Sequence, residues 1–438
     1  MKNYKPLIAL CFGYFMVIID VTVVNVAMPK LAIDLHIKLT YLAWIVDAYT
    51  LTFAALLLSV GNLSDRFSAK RTFQLGLVVF ITSSFFCGIA PNFQILIISR
   101  LAQGIGAALL VPSSISLINI SYPDKSELSK AIGTWAGIAG IAAALGPILG
   151  AFITVIFNWR GIFLINLPFG LLCLYLTNKW VITSKIKIRS KLDLWGQLLG
   201  IITIASLTYC LINTTNTHNL IIALIIFFFS FLIFIFHEYF SHAPMLPLEI
   251  FKSKKFTASI SIGFLLNFGF YGELFLLPIY FHQVKSYSIF LSGLAISPQV
   301  LLVSLGSYIS GKLIVKISAK IAMLIGLLIG SLGFLGLLIG LKFEFGYGLL
   351  VFPLLFIGFG TAFTMPAATL VSVTSVSVNR SGLASAILNT TRQLGSLVGV
   401  ALFGGIMSIS PTFNIGIQWT LLSAFCSFLL GFILANFA

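Results

Sequence analysis

Charge is what this chain has least of. Only 11 Asp and Glu residues occur among 438, and charged residues of both signs make up 8%, against about 25% in an ordinary soluble domain. So few charges cannot wet a surface, and a free-standing soluble fold is excluded. Cysteine is also sparse. Cys11, Cys87, Cys173, Cys210 and Cys426 fall within predicted helices without CxxC or metal-ligand spacing, and read as small apolar packers. The five histidines (His36, His218, His237, His242 and His282) are scattered at helix ends and loops, so neither a metal nor a cofactor is expected. No HExxH, GxSxG or clustered His/Asp set is present, which argues against an enzyme. Long polar stretches are missing too, and no loop has the length to fold as an attached ATPase or catalytic domain.

What fills the space is apolar. Hydrophobic residues make up 59% of the chain and mean hydropathy is +1.08. About 20 apolar residues cross a bilayer as a helix, and such runs predict fourteen spans: 7–28, 42–61, 73–90, 94–118, 129–156, 161–180, 194–212, 219–236, 257–281, 289–315, 321–340, 347–372, 383–407 and 417–437. The runs are too long and continuous for β-barrel strands, which alternate over about ten residues. The first carries Asp20, Thr22 and Asn25 and ends at Met28-Pro29-Lys30 without an A-x-A-like site, so it reads as a retained helix, not a signal peptide. In a soluble protein the net charge of +15 would suggest nucleic acid. Here, with a cytoplasmic N-terminus, 19 basic residues fall in cytoplasmic loops and 5 on the other side. That is the positive-inside bias of a multi-pass protein of the cell inner (cytoplasmic) membrane, with both termini cytoplasmic. The basic excess sets orientation and meets anionic lipid; no nucleic-acid partner is expected.

Two strings about 250 residues apart echo each other, GNLSDRFSAKR from Gly61 and GKLIVKISAKI from Gly311, as two halves related by an axis along the membrane normal would. The expected division is an N-terminal six-helix half (1–180), a two-helix insertion with linkers (181–245) and a C-terminal six-helix half (246–438).

Asp20 is the costliest residue of the first span. A carboxylate near the bilayer midplane costs at least ~2.5–3.5 kcal/mol and marks a proton, ion or substrate path by default. Arg100 in the fourth span is equally costly unpaired, and a shared cavity would let it stabilise ionised Asp20, with Gln103 or water taking over once the acid is protonated. A pair that only fixes helix packing is the structural alternative. Asp47, in WIVDAYTLTF, and Glu273, in NFGFYGELFLLP, are further candidate proton-coupling acids; Asp47 is alternatively near the extracellular interface, and Arg392 is a possible partner for Glu273. Asn25, Trp44, Tyr49, Asn267, Phe270, Tyr271, Asn389 and Gln393 suit a cavity that binds bulky amphipathic molecules, although each aromatic alone reads equally as core or lipid-facing.

Five strings carry a resemblance: Asp20-x-Thr22-x-x-Asn25-x-Ala27-x-Pro29, Gly61-x-Leu63-x-Asp65-Arg66, Arg100-x-x-Gln103-Gly104-x-Gly106-Ala107, Gly146-Pro147-x-x-Gly150, and Trp159-Arg160-x-x-Phe163-x-x-Asn166-x-Pro168-x-Gly170. LNTTRQLGSLVGVALFG, from Leu388 to Gly404, adds a sixth. In order and placement the chain resembles the major facilitator superfamily, specifically its fourteen-helix drug:proton antiporter branch and there the methylenomycin-resistance type. The resemblance implies an all-α fold of two six-helix halves with two extra helices between them. It implies a monomeric proton-coupled exporter of drugs, antibiotics or other amphipathic small molecules, working by alternating access. It makes Gly61, Asp65, Arg66 and Arg71 a latch between the halves in the outward-facing state, with departures at Ser68 and Ala69, and makes Gly137, Gly146, Pro147 and Gly150 the exporter-type helix, which packing alone would also explain. The fold serves import as well, so a proton-coupled importer or facilitator of an endogenous metabolite is the alternative. Short loops and single charges, not rings of them, argue against a channel.

Overall fold

The computed structural model describes residues 4–182, 193–214, 217–241, 244–377 and 380–438; the side chains of 39–40, 61–67, 125–126, 129, 308, 312 and 315 also lie outside the description. Fourteen helices are long and apolar enough to cross a membrane. They are α1 (Lys5–Asp34), α2 (Leu39–Phe67), α3 (Ala69–Gly88), α4 (Phe93–Ser121), α5 (Lys125–Phe157), α6 and α7 (Gly161–Leu164 and Asn166–Trp180, one span between them), α8 (Leu194–Ile212), α9 (Thr217–Phe240), α10 (Lys254–Gln283), α11 (Ile289–Ile317), α12 (Ala319–Lys342), α13 (Tyr347–Thr374), α14 (Ser381–Ile409) and α15 (Phe413–Leu434). Every predicted span is a helix, and several begin at a polar cap: Asn92, Ser253, Ser288 and Thr412 each accept from the backbone N–H three residues on.

The repeat is visible in the backbone. Ser68 and Ser318 both take a left-handed φ, 78° and 71°, where α2 breaks into α3 and α11 into α12, and His36 (53°) and Ser286 (56°) do so at the preceding turns. Non-glycine residues seldom adopt this conformation, so its recurrence at matching turns is a fold-level signature. Two residues on from each serine a lysine ties its half together: Lys70 Nζ donates to Asn178 O and Val181 O at the end of α7, and Lys320 Nζ to Asn436 O just past α15. Cations suit helix C-termini, where carbonyls lack partners. We call this face, where α1 begins and α15 finishes, the basic end.

Within the N half α3 packs on α4 and α1 on α5 and α7; within the C half α12 packs on α13 and α15, and α10 on α14 and α15. The halves meet along two seams, α2 with α14 and α5 with α11. Small residues permit both approaches. A Cβ at Gly404 would stand 2.9 Å from that of Ala43, and one at Gly293 would stand 2.6 Å from Val26 and 2.9 Å from Ala151. Those contacts lie at the opposite end. Midway along the second seam Ser304 Oγ donates to Gly140 O at 2.5 Å. Towards the basic end Gly133, Gly137 and Gly311 have nothing within 4 Å of where a side chain would begin. The halves are therefore closed at the opposite end and apart at the basic end on this flank.

The two inserted helices differ. α9 packs mainly on α8, with Thr203 Oγ1 to Ser230 Oγ at 3.1 Å between them, and shows its phenylalanines (Phe228, Phe229, Phe236) to the surroundings. α8 instead bridges both halves. Gln197 Nε2 donates to Ala55 O of α2 at 2.8 Å. At the other end Leu211 O touches Gly405, and Thr214, just past the helix, shares a 2.9 Å hydrogen bond with Ser408 of α14.

Candidate functional site

Asp20 is the hub of a closed polar cluster. Its carboxylate accepts from Arg100 Nη1 at 2.5 Å, Gln103 Nε2 at 2.8 Å and Asn166 Nδ2 at 3.1 Å. Ser84 Oγ accepts from the same two amides at 2.8 and 3.3 Å. Arg100 Nε donates to Ile45 O at 2.9 Å, and its guanidinium lies 4.5 Å from the Tyr49 ring centre. Asp20, Ser84, Arg100, Gln103 and Asn166 are all buried. A buried ion pair is tolerable only when remaining hydrogen-bonding capacity is satisfied, and here five helices contribute: α1, α2, α3, α4 and α7. The Asp20–Arg100–Gln103 association expected from the motifs is present. The cluster lies inside the N half, every member coming from α1, α2, α3, α4 or α7. Asn166, quoted within a motif, and Ser84, in no motif, are members that sequence reasoning did not assign.

Glu273 is buried in α10 and accepts from Gln299 Nε2 of α11 at 2.7 Å. Arg392 is not its partner: that side chain donates through Nη2 to Met365 O at 2.7 Å and Thr369 Oγ1 at 2.8 Å on α13. The two lie at different levels of the α10–α14 pair, since Arg392 packs beside Gly263 of α10 whereas Gly272, next to Glu273, meets Phe403 of α14. Gln299 beside Pro298 was the unassigned polar residue. Asp47 is fully buried within the protein, and neither carboxylate oxygen has a hydrogen-bond partner among the described residues.

The expected substrate set divides. Asn25, Tyr49, Asn267 and Phe270 are buried: Asn25 bonds back to Val21 O, Asn267 holds Arg392 O at 3.1 Å, and Tyr49 covers Arg100. Trp44, Tyr271, Asn389 and Gln393 are half-buried. The Trp44 ring centre sits 6.3 Å from that of Tyr209 of α8. Tyr14 stacks on Trp135 at 3.7 Å and lies within electrostatic reach of Tyr271 and Arg392 of the other half, an inter-half aromatic group that the motifs did not mark.

Of the exporter-type helix, Gly146 and Gly150 are packing sites against Thr22 and Val23 of α1, and the Pro147 carbonyl faces Gly293 of α11. Gly137 is different, because it borders open space. Of the latch, the side chains of Gly61, Asp65 and Arg66 lie outside the described residues, and Arg71 is exposed at the start of α3. No group of three or more metal-ligating side chains occurs among the described residues.

Comparison with known proteins follows this geometry. The family model described as "Major Facilitator Superfamily" matches residues 10–400. The chain is 35% identical to the "Methylenomycin A resistance protein" of Bacillus subtilis (strain 168), over 94% of this chain and 89% of that protein. It is 32% identical to "Multidrug resistance protein Stp" of Mycobacterium tuberculosis (strain CDC 1551 / Oshkosh), over 92% and 75%, and 30% identical to "Riboflavin transporter RibZ" of Clostridioides difficile (strain 630), over 94% and 90%. Among solved structures, a POT family transporter in complex with 5-aminolevulinic acid superposes with a TM-score of 0.74 at 15% identity, covering 98% of this chain and 94% of that one.

Proposed function

The chain belongs to the Major Facilitator Superfamily, and we propose that within it this is a proton-coupled exporter of amphipathic small molecules, antibiotics among them, working by alternating access. The observation that carries the reading is the Asp20–Arg100 cluster: an ion pair whose carboxylate also accepts from two amides, which Ser84 Oγ accepts from in turn, in the interior of a membrane helix bundle. Such a cost is rarely kept for stability alone. The resistance proteins among the relatives support antibiotics as cargo.

In this reading the protein sits in the cytoplasmic membrane with the basic end, and so both termini, in the cytoplasm. The arrangement closed at the opposite end then faces inward. The moving bodies are residues 1–180 and 246–438, with 181–245 inserted between them. Protons entering from outside reach the buried acids Asp20, Glu273 or Asp47; cargo meets Tyr14, Trp135, Tyr271, Asn389 and Gln393 on the inner faces of the two halves. Each charge moved down the potential contributes ~2.3 kcal/mol per 100 mV. The working unit is a monomer in lipid, carrying cargo and protons, without catalytic chemistry and without a nucleic-acid partner.

The test is uncoupler-sensitive efflux of dyes and antibiotics from cells expressing the chain, set against Asp20→Asn. Loss of efflux in the variant is expected; undiminished, uncoupler-sensitive efflux would remove Asp20 from the coupling role. The riboflavin transporter among the relatives favours a second reading, uptake of an endogenous metabolite. Proton-driven accumulation in right-side-out vesicles with no efflux of any compound would select it.

A further inference from the structure

Arg392 is a buried cation to which the described residues bring no counter-ion. Its Nη2 donates to Met365 O and Thr369 Oγ1 of α13, two uncharged acceptors that fix the side chain across the α13–α14 joint. Nε is enclosed beside Gly263 of α10 and has no acceptor. Among the described residues Nη1 is neither bonded nor enclosed. The ion pairs lie elsewhere: Asp20 with Arg100, Asp34 with Lys30, Asp193 with His237 and Glu249 with Arg380. An unpaired charge is costly inside a protein, and none of these acids is spent on Arg392.

The neighbours of Arg392 belong to both halves. Tyr271 of α10 and Tyr14 of α1 lie within its electrostatic reach, and both are half-buried. Phenols carry no charge at neutral pH. Tyr14 stacks on Trp135 of α5 with ring centres 3.7 Å apart, so the N half contributes a flat aromatic wall. On α5, Gly133 and Gly137 to either side of Trp135 border open space. Asn389 is half-buried one turn before Arg392 on the same face of α14. The interior acids are committed or remote. Asp20 is enclosed by Arg100, Gln103 and Asn166 within the N half. Glu273 accepts from Gln299 and lies about 15 Å further along α10 than Gly263. Asp47 of α2 is bonded to no described residue. The formal charge presented beside Tyr14 and Tyr271 is thus positive.

We infer that the cargo is an organic anion, an amphipathic molecule whose carboxylate is met by Arg392 and whose apolar body lies against Tyr14 and Trp135. The inference rests on the transport reading above and deepens it by naming the charge of the molecule carried. A guanidinium matches a planar carboxylate, and the two bonds to α13 hold it in place before cargo arrives, so little side-chain freedom is lost on binding. The Tyr271 hydroxyl and the Asn389 amide add hydrogen-bond donors for the second carboxylate oxygen. An organic ammonium would meet like charge there, with no acid to offset it.

Three probes with one apolar body separate these cases: 1-pyrenebutyrate, 1-pyrenebutylammonium and the neutral 1-pyrenebutanol. Binding to the purified full chain in nanodiscs of zwitterionic lipid is read by tryptophan-to-pyrene energy transfer, with empty discs correcting for partition into lipid. The butyrate should bind about tenfold to a hundredfold more tightly than the ammonium, the range of a charge-assisted hydrogen bond, with the alcohol between them. Arg392→Gln should bring the butyrate to the affinity of the alcohol, and Arg392→Lys should restore part of the preference because it keeps the charge. An ammonium that binds as tightly as the butyrate, a preference that survives Arg392→Gln, or no saturable binding of any probe would overturn the proposal. The three-probe comparison on the unsubstituted chain decides the matter even if neither variant folds. Binding requires neither a proton gradient nor a direction of transport. Anion-selective binding without uncoupler-sensitive efflux would reject only the export reading, and efflux of organic cations in preference to anions would reject only the anionic cargo.

Discussion

The two halves share a backbone plan and fill the same place with opposite chemistry. Aligned on Pro29 of α1 and Pro278 of α10, Asp20 falls opposite Gly269; aligned on the close-contact glycines Gly106 and Gly360, Arg100 falls opposite Leu354 and Gln103 opposite Ile357. Aligned on the starts of α3 and α12, Ser84 falls opposite Phe334. Where the N half holds an ion pair and its amides, the C half packs Phe334 on Phe428 with ring centres 4.9 Å apart, and a Cβ at Gly269 would stand 3.0 Å from the Phe428 ring. One scaffold thus tolerates either a satisfied polar cluster or an apolar one. Stability alone does not require the charges, and the N half keeps them.

The comparison breaks most sharply at Arg100. Arg100→Leu leaves Asp20 buried and unpaired, and should cost about 3–5 kcal/mol, read as a large fall in the unfolding midpoint in detergent or as loss of the folded protein. Adding Asp20→Ala imports the C-half solution. The double variant should regain most of that stability while efflux stays absent; a double variant as unstable as Arg100→Leu would mean that the polar cluster holds the N half together. In the C half, Phe428→Ala should cost about 3 kcal/mol through the cavity it leaves, with proton coupling retained in whatever protein folds. Gln103→Leu removes donors to Asp20 and Ser84 and should cost about 1–3 kcal/mol. The smallest effect tests the symmetric feature: Lys70→Met and Lys320→Met should each lower stability by about 0.3–1 kcal/mol, equally within error, because each closes the same turn on the last helix of its half.

The spans, their number and the intramembrane charges were legible because membrane physics writes them into local composition. Asp20, Arg100 and Gln103 could be grouped because each is costly in lipid and has few partners to choose from. Contacts that depend on how far a helix is turned about its axis were not legible. Glu273 looked towards Arg392 on charge alone, yet Arg392 meets α10 at Gly263, well along the helix from Glu273, and Gln299 of α11 reaches the acid. Counting residues from the start of its helix gives the level of Asp47 but not that its side chain is completely covered. Tyr49, Asn25 and Asn267 carry cavity-like side chains and serve as packing and backbone ties. Ser84 was invisible because a serine in an apolar helix bonds its own backbone more often than a distant carboxylate.

The bridge made by α8 makes the two seams unequal. On the α2–α14 side a third helix lies across the joint and holds both edges. On the α5–α11 side nothing comparable spans the joint among the described residues, and Gly133 and Gly137 face open space there. A molecule dissolved in the leaflet at the basic end thus meets a shuttered flank and an unshuttered one, so the direction of its sideways approach is set by where the two additional helices were placed.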